Sequence, residues 1–391
     1  MKRNRIVMMS SIMILLVIGG GLLYWVFGDG IKEKSHIEKE TKQNQEQEIK
    51  QEQEETQEIK NETEHSEIPD LPSENPIQEP EKKEVTMAFT GDILLSSYVR
   101  KNYDGEGIGG VVSDTLLGQM QGADITMANE EFPFSTRGVP EQDKQFTFQA
   151  DPAYTSVLKD MGIDVVTLAN NHALDYGAQA LTDTFQALDE TGIAYVGAGD
   201  TKERASQPYF IEAGGKTFGF LAASRVIPQV GWNIDNQQPG LLCTYDSSAL
   251  VQAIQGAKEK SDYVVVYVHW GVERANTPQE YQRQLGKAYI DAGADLVIGS
   301  HPHVLQGIEY YQGKPIVYSL GNYIFNQEIP STVLLKATVS PDNQTTLTLL
   351  PAYAVGAKTQ EKNQNDAAAL YQFMEEISFG ITVGEDGVVS N

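Results

Sequence analysis

One cysteine, Cys243, serves the whole chain of 391 residues, which rules out an internal disulfide and argues against a thiolate-built metal cage. Positive charge is also scarce: 29 Lys and Arg face 54 Asp and Glu, for a net charge of −25. After Glu84 there are 36 acidic and 18 basic residues. That balance offers no basic patch for a phosphate backbone, so nucleic acid is excluded as a partner, as is adhesion to anionic lipid through the domain surface. Residues 31–84 contain no aromatic side chain, but 17 acidic and 8 basic ones and many glutamines. Such a stretch cannot bury enough apolar surface to offset chain entropy and is expected to be a disordered acidic linker. Its end, with Pro69, Pro72, Pro76 and Pro80, should be extended.

Histidine is scarce too. Two of six, His36 and His65, lie in the linker and receive no role. The other four follow apolar runs: Asn170-Asn171-His172, His269-Trp270-Gly271 and His301-Pro302-His303. Two carboxylate clusters share that setting, Gly91-Asp92 and Asn129-Glu130-Glu131. Buried strands need no such residues at their ends, so the repeated pattern points to a metal site at a sheet edge.

The N-terminus carries Lys2, Arg3 and Arg5 and then an uncharged run from Ile6 to Phe27, long enough to span a bilayer as a helix. The run ends Tyr24-Trp25-Val26-Phe27 with no small-residue cleavage site, which favours an uncleaved anchor over a signal peptide. Basic residues before the span and Asp29 after it place the N-terminus in the cytoplasm and the remainder outside. The expectation is a single-pass protein of the cell membrane, with residues 1–30 as cytoplasmic stub and anchor.

From Val85 onward, β-like runs alternate with helix patterns. Val85–Asp92, Asp124–Asn129, Ile163–Ala169, Tyr263–Val268 and Leu296–Gly299 read as strands; Pro152–Met161, Ala178–Thr191, Ala249–Ser261 and Glu280–Ala292 read as helices. This α/β order implies parallel pairing with sites at strand C-termini. Hairpins follow after Gln306, and residues 351–391, with a helix over Asp366–Ile377, form a C-terminal extension packed on a domain of residues 85–350.

In an extended segment, His301 and His303 would project to one side, with Pro302 fixing the backbone between them. His269 closes an apolar strand, and Glu273 four residues later could support a ligand from behind or face a substrate. Asn171 can offer a carbonyl oxygen to a divalent ion, and His172 can give a proton to a leaving group with Asp175 orienting it. The Asn-Asn pair also fits a turn that starts the next helix. Asp92 and one of Glu130 and Glu131 would add oxygen ligands. This mixed set suits Mn, Fe or Zn, one ion or two.

Together these clusters resemble the CapA family of poly-γ-glutamate capsule synthesis, which is related to the calcineurin-like metallophosphoesterases. The resemblance runs from about Val85 to Phe325, through Thr90-Gly91-Asp92, Asn129-Glu130-Glu131-Phe132-Pro133, Ala169–Gly177, His269-Trp270-Gly271, Gly299–Val304 and Tyr318–Phe325. It implies a four-layer αββα sandwich of metallophosphoesterase type. Within it Asp92, Glu131, Asn171, His269, His301 and His303 would be metal ligands, His172 the proton donor and Asp175 its support. Asn129, Asn170, Trp270, Glu273 and Asn322 would face the substrate. The phosphoesterase pattern has Asp-x-His in its first motif, where this chain has Leu94.

The expected function is a membrane-anchored extracellular protein of poly-γ-glutamate synthesis or export with a hydrolase-type site. Its partners would be the membrane, polymer-synthesis membrane proteins and an anionic polymer or phosphoester substrate. The alternatives are a non-catalytic component of the polymer synthesis complex and a metal-dependent phosphoesterase unrelated to capsule.

Overall fold

The computed structural model describes residues 82–236 and 239–391; the expected anchor and most of the linker lie outside them. Among the described residues no helix is long and apolar enough to cross a membrane.

The strands in chain order are β1 (Val85–Ile93), β2 (Ile125–Glu130), β3 (Val165–Thr167), β4 (Ala194–Val196), β5 (Ala198–Gly199), β6 (Tyr209–Ala213), β7 (Lys216–Ser224) and β8 (Gly240–Leu241). They continue with β9 (Tyr263–His269), β10 (Leu296–Ser300), β11 (Leu305–Tyr311), β12 (Lys314–Leu320), β13 (Asn322–Ile324), β14 (Ile329–Val339), β15 (Thr345–Val355), β16 (Lys358–Glu361), β17 (Thr382–Val383) and β18 (Val389–Ser390). The helices are α1 (Ser97–Glu106), α2 (Asp114–Gln121), α3 (Thr155–Asp160), α4 (Gly177–Thr191), α5 (Lys202–Ser206), α6 (Ser248–Lys258), α7 (Glu280–Ala292) and α8 (Gln364–Ile377).

Two large mixed sheets result, beside two short antiparallel pairs, β5-β8 and β17-β18. The first runs β16-β15-β14-β1-β2-β3-β4, with β13 also paired to β1; the second runs β11-β12-β10-β9-β7-β6. Each has a parallel centre, β1 to β4 in one and β7, β9, β10 and β12 in the other. Antiparallel strands complete them.

Period-two alternation explains how the sheets stack. In β9, Tyr263, Val265 and Tyr267 enter a core that also takes Val85, Met87 and Phe89 of β1, so it lies between the sheets. Val264, Val266 and Val268 point the other way, into a core shared with Leu250 and Ile254 of α6 and Tyr289 and Ile290 of α7. The far face of the first sheet packs on Leu116, Leu158, Leu181 and Leu188 of α2, α3 and α4. Both faces of each sheet are therefore covered, as near-continuous apolar strands require.

Two boundaries differ from expectation. The expected division at residues 350 and 351 falls inside β15, where Pro351 lies opposite Val333 in the ladder and its carbonyl accepts from Lys362 N–H. Helix α8 is also integral to the fold, with Leu370 and Met374 entering the core between the sheets. It begins at Gln364 because the Asn363 side chain caps it, accepting from Asp366 N–H at 3.0 Å.

Gly91 sets the end of β1. A Cβ there would lie 1.8 Å from the Gly321 carbonyl oxygen, the same oxygen that accepts from Asp92 N–H at 2.9 Å. The strand register shifts between Phe89 and Asp92, and this crossing turns the Asp92 side chain to its place. Gly91→Ala is expected to destabilise the fold by roughly 1–3 kcal/mol or more. A thermal melt at wild-type midpoint would contradict that close approach.

Candidate metal centre

The parallel strands of both sheets end at one edge, and the chemistry-bearing residues meet there. Asp92 is the penultimate residue of β1, Glu131 follows β2, Asn171 follows β3, His269 ends β9, and His301 and His303 follow β10. Asp92, Asn129, Glu131 and His269 are fully buried.

Two triads of ligand atoms form, each with all atoms within 4.8 Å of one another: Glu131 with His269 and His301, and Asp92 with Glu131 and His303. Glu131 belongs to both. Neither of its carboxylate oxygens has a hydrogen-bond partner, nor has His301 Nδ1. Native interiors rarely leave buried polar atoms unsatisfied, and charged ones are the most costly. A divalent cation would satisfy all three atoms, and the nitrogen and oxygen donor set fits one. The Asn171 amide oxygen lies 2.8 Å from His269 Nε2, so both ligand-type atoms face the same space.

The surrounding bonds hold the rings in place. Asn129 Nδ2 donates to Asp92 Oδ1 at 2.8 Å, and its Oδ1 accepts from Asn170 Nδ2 at 3.1 Å. His269 Nδ1 faces Ser300 Oγ at 3.1 Å. His303 Nδ1 lies 2.7 Å from Asn322 Oδ1 and 3.3 Å from Asp92 Oδ2. The two sheets are also tied beneath the cluster, where Tyr267 hydroxyl donates to the Thr90 carbonyl at 2.8 Å.

Electrostatics follow from burial. Burial and the Asp92 charge push the Glu131 carboxyl well above its usual range. Burial drives His269 well below its usual value and, with the neighbouring His303, brings His301 down to about 4. His303 goes the other way: burial opposes its charge, but Glu131, Asp92 and the Asn322 amide outweigh that and lift it to about 10. For Asp92, burial raises the carboxyl, but His303, Asn129 and His301 together leave it below its usual value. Without a cation, a proton on His303 offsets part of the carboxylate charge.

Several expectations need correction. The His301-Pro302-His303 segment is not extended. His301 has φ +99° and His303 φ +58°, both left-handed, so the turn itself rather than strand alternation directs the two rings. Such conformations cost of order 1–3 kcal/mol each and persist where the surroundings impose them. Of the five residues expected to face substrate, Asn129, Asn170, Trp270 and Asn322 have polar groups engaged within the chain, while Glu273 is free. Asn129 is spent as described above. Asn170 donates to Asn129 and to the Glu130 carbonyl, while its own Oδ1 accepts from His172 N–H at 3.0 Å in an Asx turn. Trp270 is a core residue: strand alternation turns it away from His269, and its indole donates to the Tyr318 carbonyl at 2.9 Å. Glu273 is exposed and makes no hydrogen bond or ion pair among the described residues. Asn322 serves the His303 ring. Asn129, Asn170 and Asn322 are thus used up by neighbouring polar groups.

Glu130 and Glu131 separate as alternation requires. Glu130, the last residue of β2, is fully buried with neither carboxylate oxygen hydrogen-bonded, and burial alone raises its carboxyl well above the usual range. Leu94, where the first-motif histidine would stand, packs into the core beneath the helices.

One residue had no sequence signal at all. Lys144, in the long loop between β2 and α3, forms an ion pair with Asp175 and donates to the Asn171 carbonyl. It also lies 3.0 Å from His172 Nδ1, while Asp175 Oδ2 lies 2.7 Å from that same nitrogen. One nitrogen cannot both donate to Asp175 and accept from Lys144. The Asp175 contact is shorter and Lys144 has other acceptors, so we assign the Nδ1 proton to the Asp175 bond. Phe148 packs against the His172 ring with centroids 4.6 Å apart. Burial lowers His172 below its usual value despite Asp175.

Comparison with known proteins places this geometry in a family. The family model described as bacterial capsule synthesis protein PGA_cap matches residues 86–327. The chain belongs to that family. It is 36% identical over 252 residues to the PGA biosynthesis protein CapA of Bacillus subtilis (strain 168), covering 62% of this chain and 64% of that protein. It is 33% identical over 262 residues to the capsule biosynthesis protein CapA of Bacillus anthracis, covering 64% of this chain and 62% of that one. The chain thus spans a little under two thirds of each relative. Among solved structures, a hypothetical protein from Thermus thermophilus aligns at TM-score 0.43 and 17% identity, over 68% of this chain and 98% of its own. The sulfate thiohydrolase SoxB of the same species, in complex with glycerol, aligns at TM-score 0.37 and 13% identity, over 74% of this chain and 58% of its own.

Two outcomes follow. Metal uptake must displace a proton from His303 or Glu131, so affinity should rise with pH, about tenfold per unit below the His303 value. Calorimetry of manganese or zinc binding in buffers of different ionisation enthalpy reads the released proton, and no release would contradict the assignment. The two glutamates should also part company. Glu131→Gln should abolish stoichiometric metal, whereas Glu130→Leu should keep it and raise stability by roughly 1–3 kcal/mol. Equal metal loss in both variants would refute this division of roles.

Proposed function

We propose that this chain is a membrane-anchored extracellular protein of poly-γ-glutamate capsule synthesis or export, carrying a metal-dependent hydrolase-type site. We take its fold as a four-layer αββα sandwich of the metallophosphoesterase type. The anchor and outside location rest on the Ile6–Phe27 run and the basic residues before it. The polymer rests on family membership and on the two named Bacillus relatives. The partners would be polymer-synthesis membrane proteins and the anionic polymer or a phosphoester substrate. The observation that carries the hydrolase reading is Glu131, shared by two ligand triads with neither oxygen hydrogen-bonded.

The cation, taken as Mn, Fe or Zn, would supply Lewis-acid polarisation of a carbonyl or phosphoryl oxygen and activation of water. Glu131, His269 and His301 would hold one ion; Asp92 and His303, with Glu131 shared, would hold a second. The chain's own proton chemistry is carried by His172. In the resting state its Nδ1 proton is donated to Asp175, which leaves Nε2 as the nitrogen able to take a proton and pass it to a leaving group. Asp175 stabilises the resulting imidazolium. Lys144 holds Asp175 in place through their ion pair, and Phe148 N–H donates to Asp175 Oδ2 at 2.7 Å.

A second reading, a non-catalytic component of the synthesis complex, draws on Leu94, which packs in the core where a phosphoesterase histidine would complete the first motif. The two readings diverge on His172. On a γ-linked oligoglutamate or a phosphodiester, His172→Ala and Asp175→Asn should each lower kcat by about 10²–10⁴ with little change in KM or metal content. Full restoration of polymer by His172→Ala in a deletion strain would favour the non-catalytic reading.

A further inference from the structure

A domain this acidic must present positive charge locally if it handles a polyanion. Two arginines at the edge of the second sheet do so. Arg225 directly follows β7, and its backbone N–H donates to the His269 carbonyl at 2.8 Å. Arg274 lies in the loop after β9, and its N–H donates to the Pro302 carbonyl at 2.7 Å. Each is thus tied through the backbone to a segment that supplies the candidate ligands. Lys144 and Arg137, by contrast, are neutralised by Asp175 and Asp183. Neither Arg225 nor Arg274 makes a side-chain hydrogen bond or an ion pair among the described residues, and the exposed carboxylate of Glu273 leaves its neighbour Arg274 unpaired.

Arg225 is also held in advance of any ligand. Its guanidinium carbon lies 4.0 Å from the ring centroid of Tyr245 and 5.4 Å from that of Tyr281. Tyr281 is itself fixed, its hydroxyl accepting from Gly271 N–H at 2.8 Å. Aromatic contacts engage the guanidinium face and leave the N–H edge unspent. That edge matches a planar anion with two oxygens, a carboxylate, and little rotamer freedom remains to be lost on binding. Arg274 stands on a left-handed backbone, φ +62°, in an exposed loop. The two cations sit on separate loops, and a chain with repeating carboxylates has one to offer to each.

We propose that Arg225, cradled by Tyr245 and Tyr281, and Arg274 form a carboxylate-receiving site at the rim of the candidate metal centre, for the side chains of a polycarboxylate strand. The site rests on the polymer reading above but not on catalysis. The test is calorimetric binding of a γ-linked glutamate decamer to the purified full chain at low and high salt. Arg225→Gln with Arg274→Gln should weaken binding at least about tenfold and flatten its salt dependence, with metal content and melting temperature unchanged. Arg225→Lys, which keeps the charge but loses the fork, should fall between. Wild-type affinity in the double variant, or no decamer binding by the wild type, would overturn the site while leaving the metal centre standing. Inorganic phosphate displacing the decamer as well as glutarate does would overturn the carboxylate assignment.

Discussion

A carboxylate shut away from water must find a cation or a proton, and the architecture of this edge turns on that constraint at Glu131. Its two oxygens have no hydrogen-bond donor, and both ligand triads pass through it. Burial raises its carboxyl, and the nearby Asp92 charge raises it further. The neighbouring groups then arrange themselves around the deficit. His303 retains a proton, His269 and His301 give theirs up, and Asn129 and Ser300 fix the ligand side chains. The left-handed backbone at His301 and His303 is the strain accepted to bring the second sheet's donors to the first sheet's carboxylates.

The stacking of the sheets makes this meeting possible. Parallel centres in both sheets send their C-terminal ends to one edge, and the core of Phe89, Tyr267, Ile298 and their neighbours holds those ends face to face. Gly91 and Gly321 let β1 and β13 cross closely enough for Asp92 to reach the centre. On the far side of the second sheet, Trp270 and Tyr318 pack where a side chain on Gly299 would collide with both. The residues that fill the cores and those that ligate are thus successive positions of the same strands.

What could be read in the sequence was whatever alternation and residue chemistry express locally. The apolar runs ending in Asp92, His269 and His301 marked strands and ligand-type residues, and the structure brings those residues together. The signal failed where contacts are remote or conformation departs from a strand. Nothing near Lys144 in sequence shows that its loop returns to Asp175. Trp270 beside His269 looked functional because proximity along a strand hides the reversal of side. Asn129 and Asn170 looked substrate-facing because the bonds that use them up come from other strands. The division at residues 350 and 351 missed the length of β15 because the ladder partner of Pro351, Val333, lies 18 positions earlier in the chain.

The central claim, that one buried carboxylate organises a cation centre between the two sheet edges, is tested most directly by anomalous diffraction from crystals of the protein grown with manganese. The expected result is a peak within coordination distance of a Glu131 oxygen, with His269 or His303 nitrogens completing the shell. Absence of any peak there under saturating metal, with the Glu131 oxygens instead hydrogen-bonded to protein donors, would contradict it.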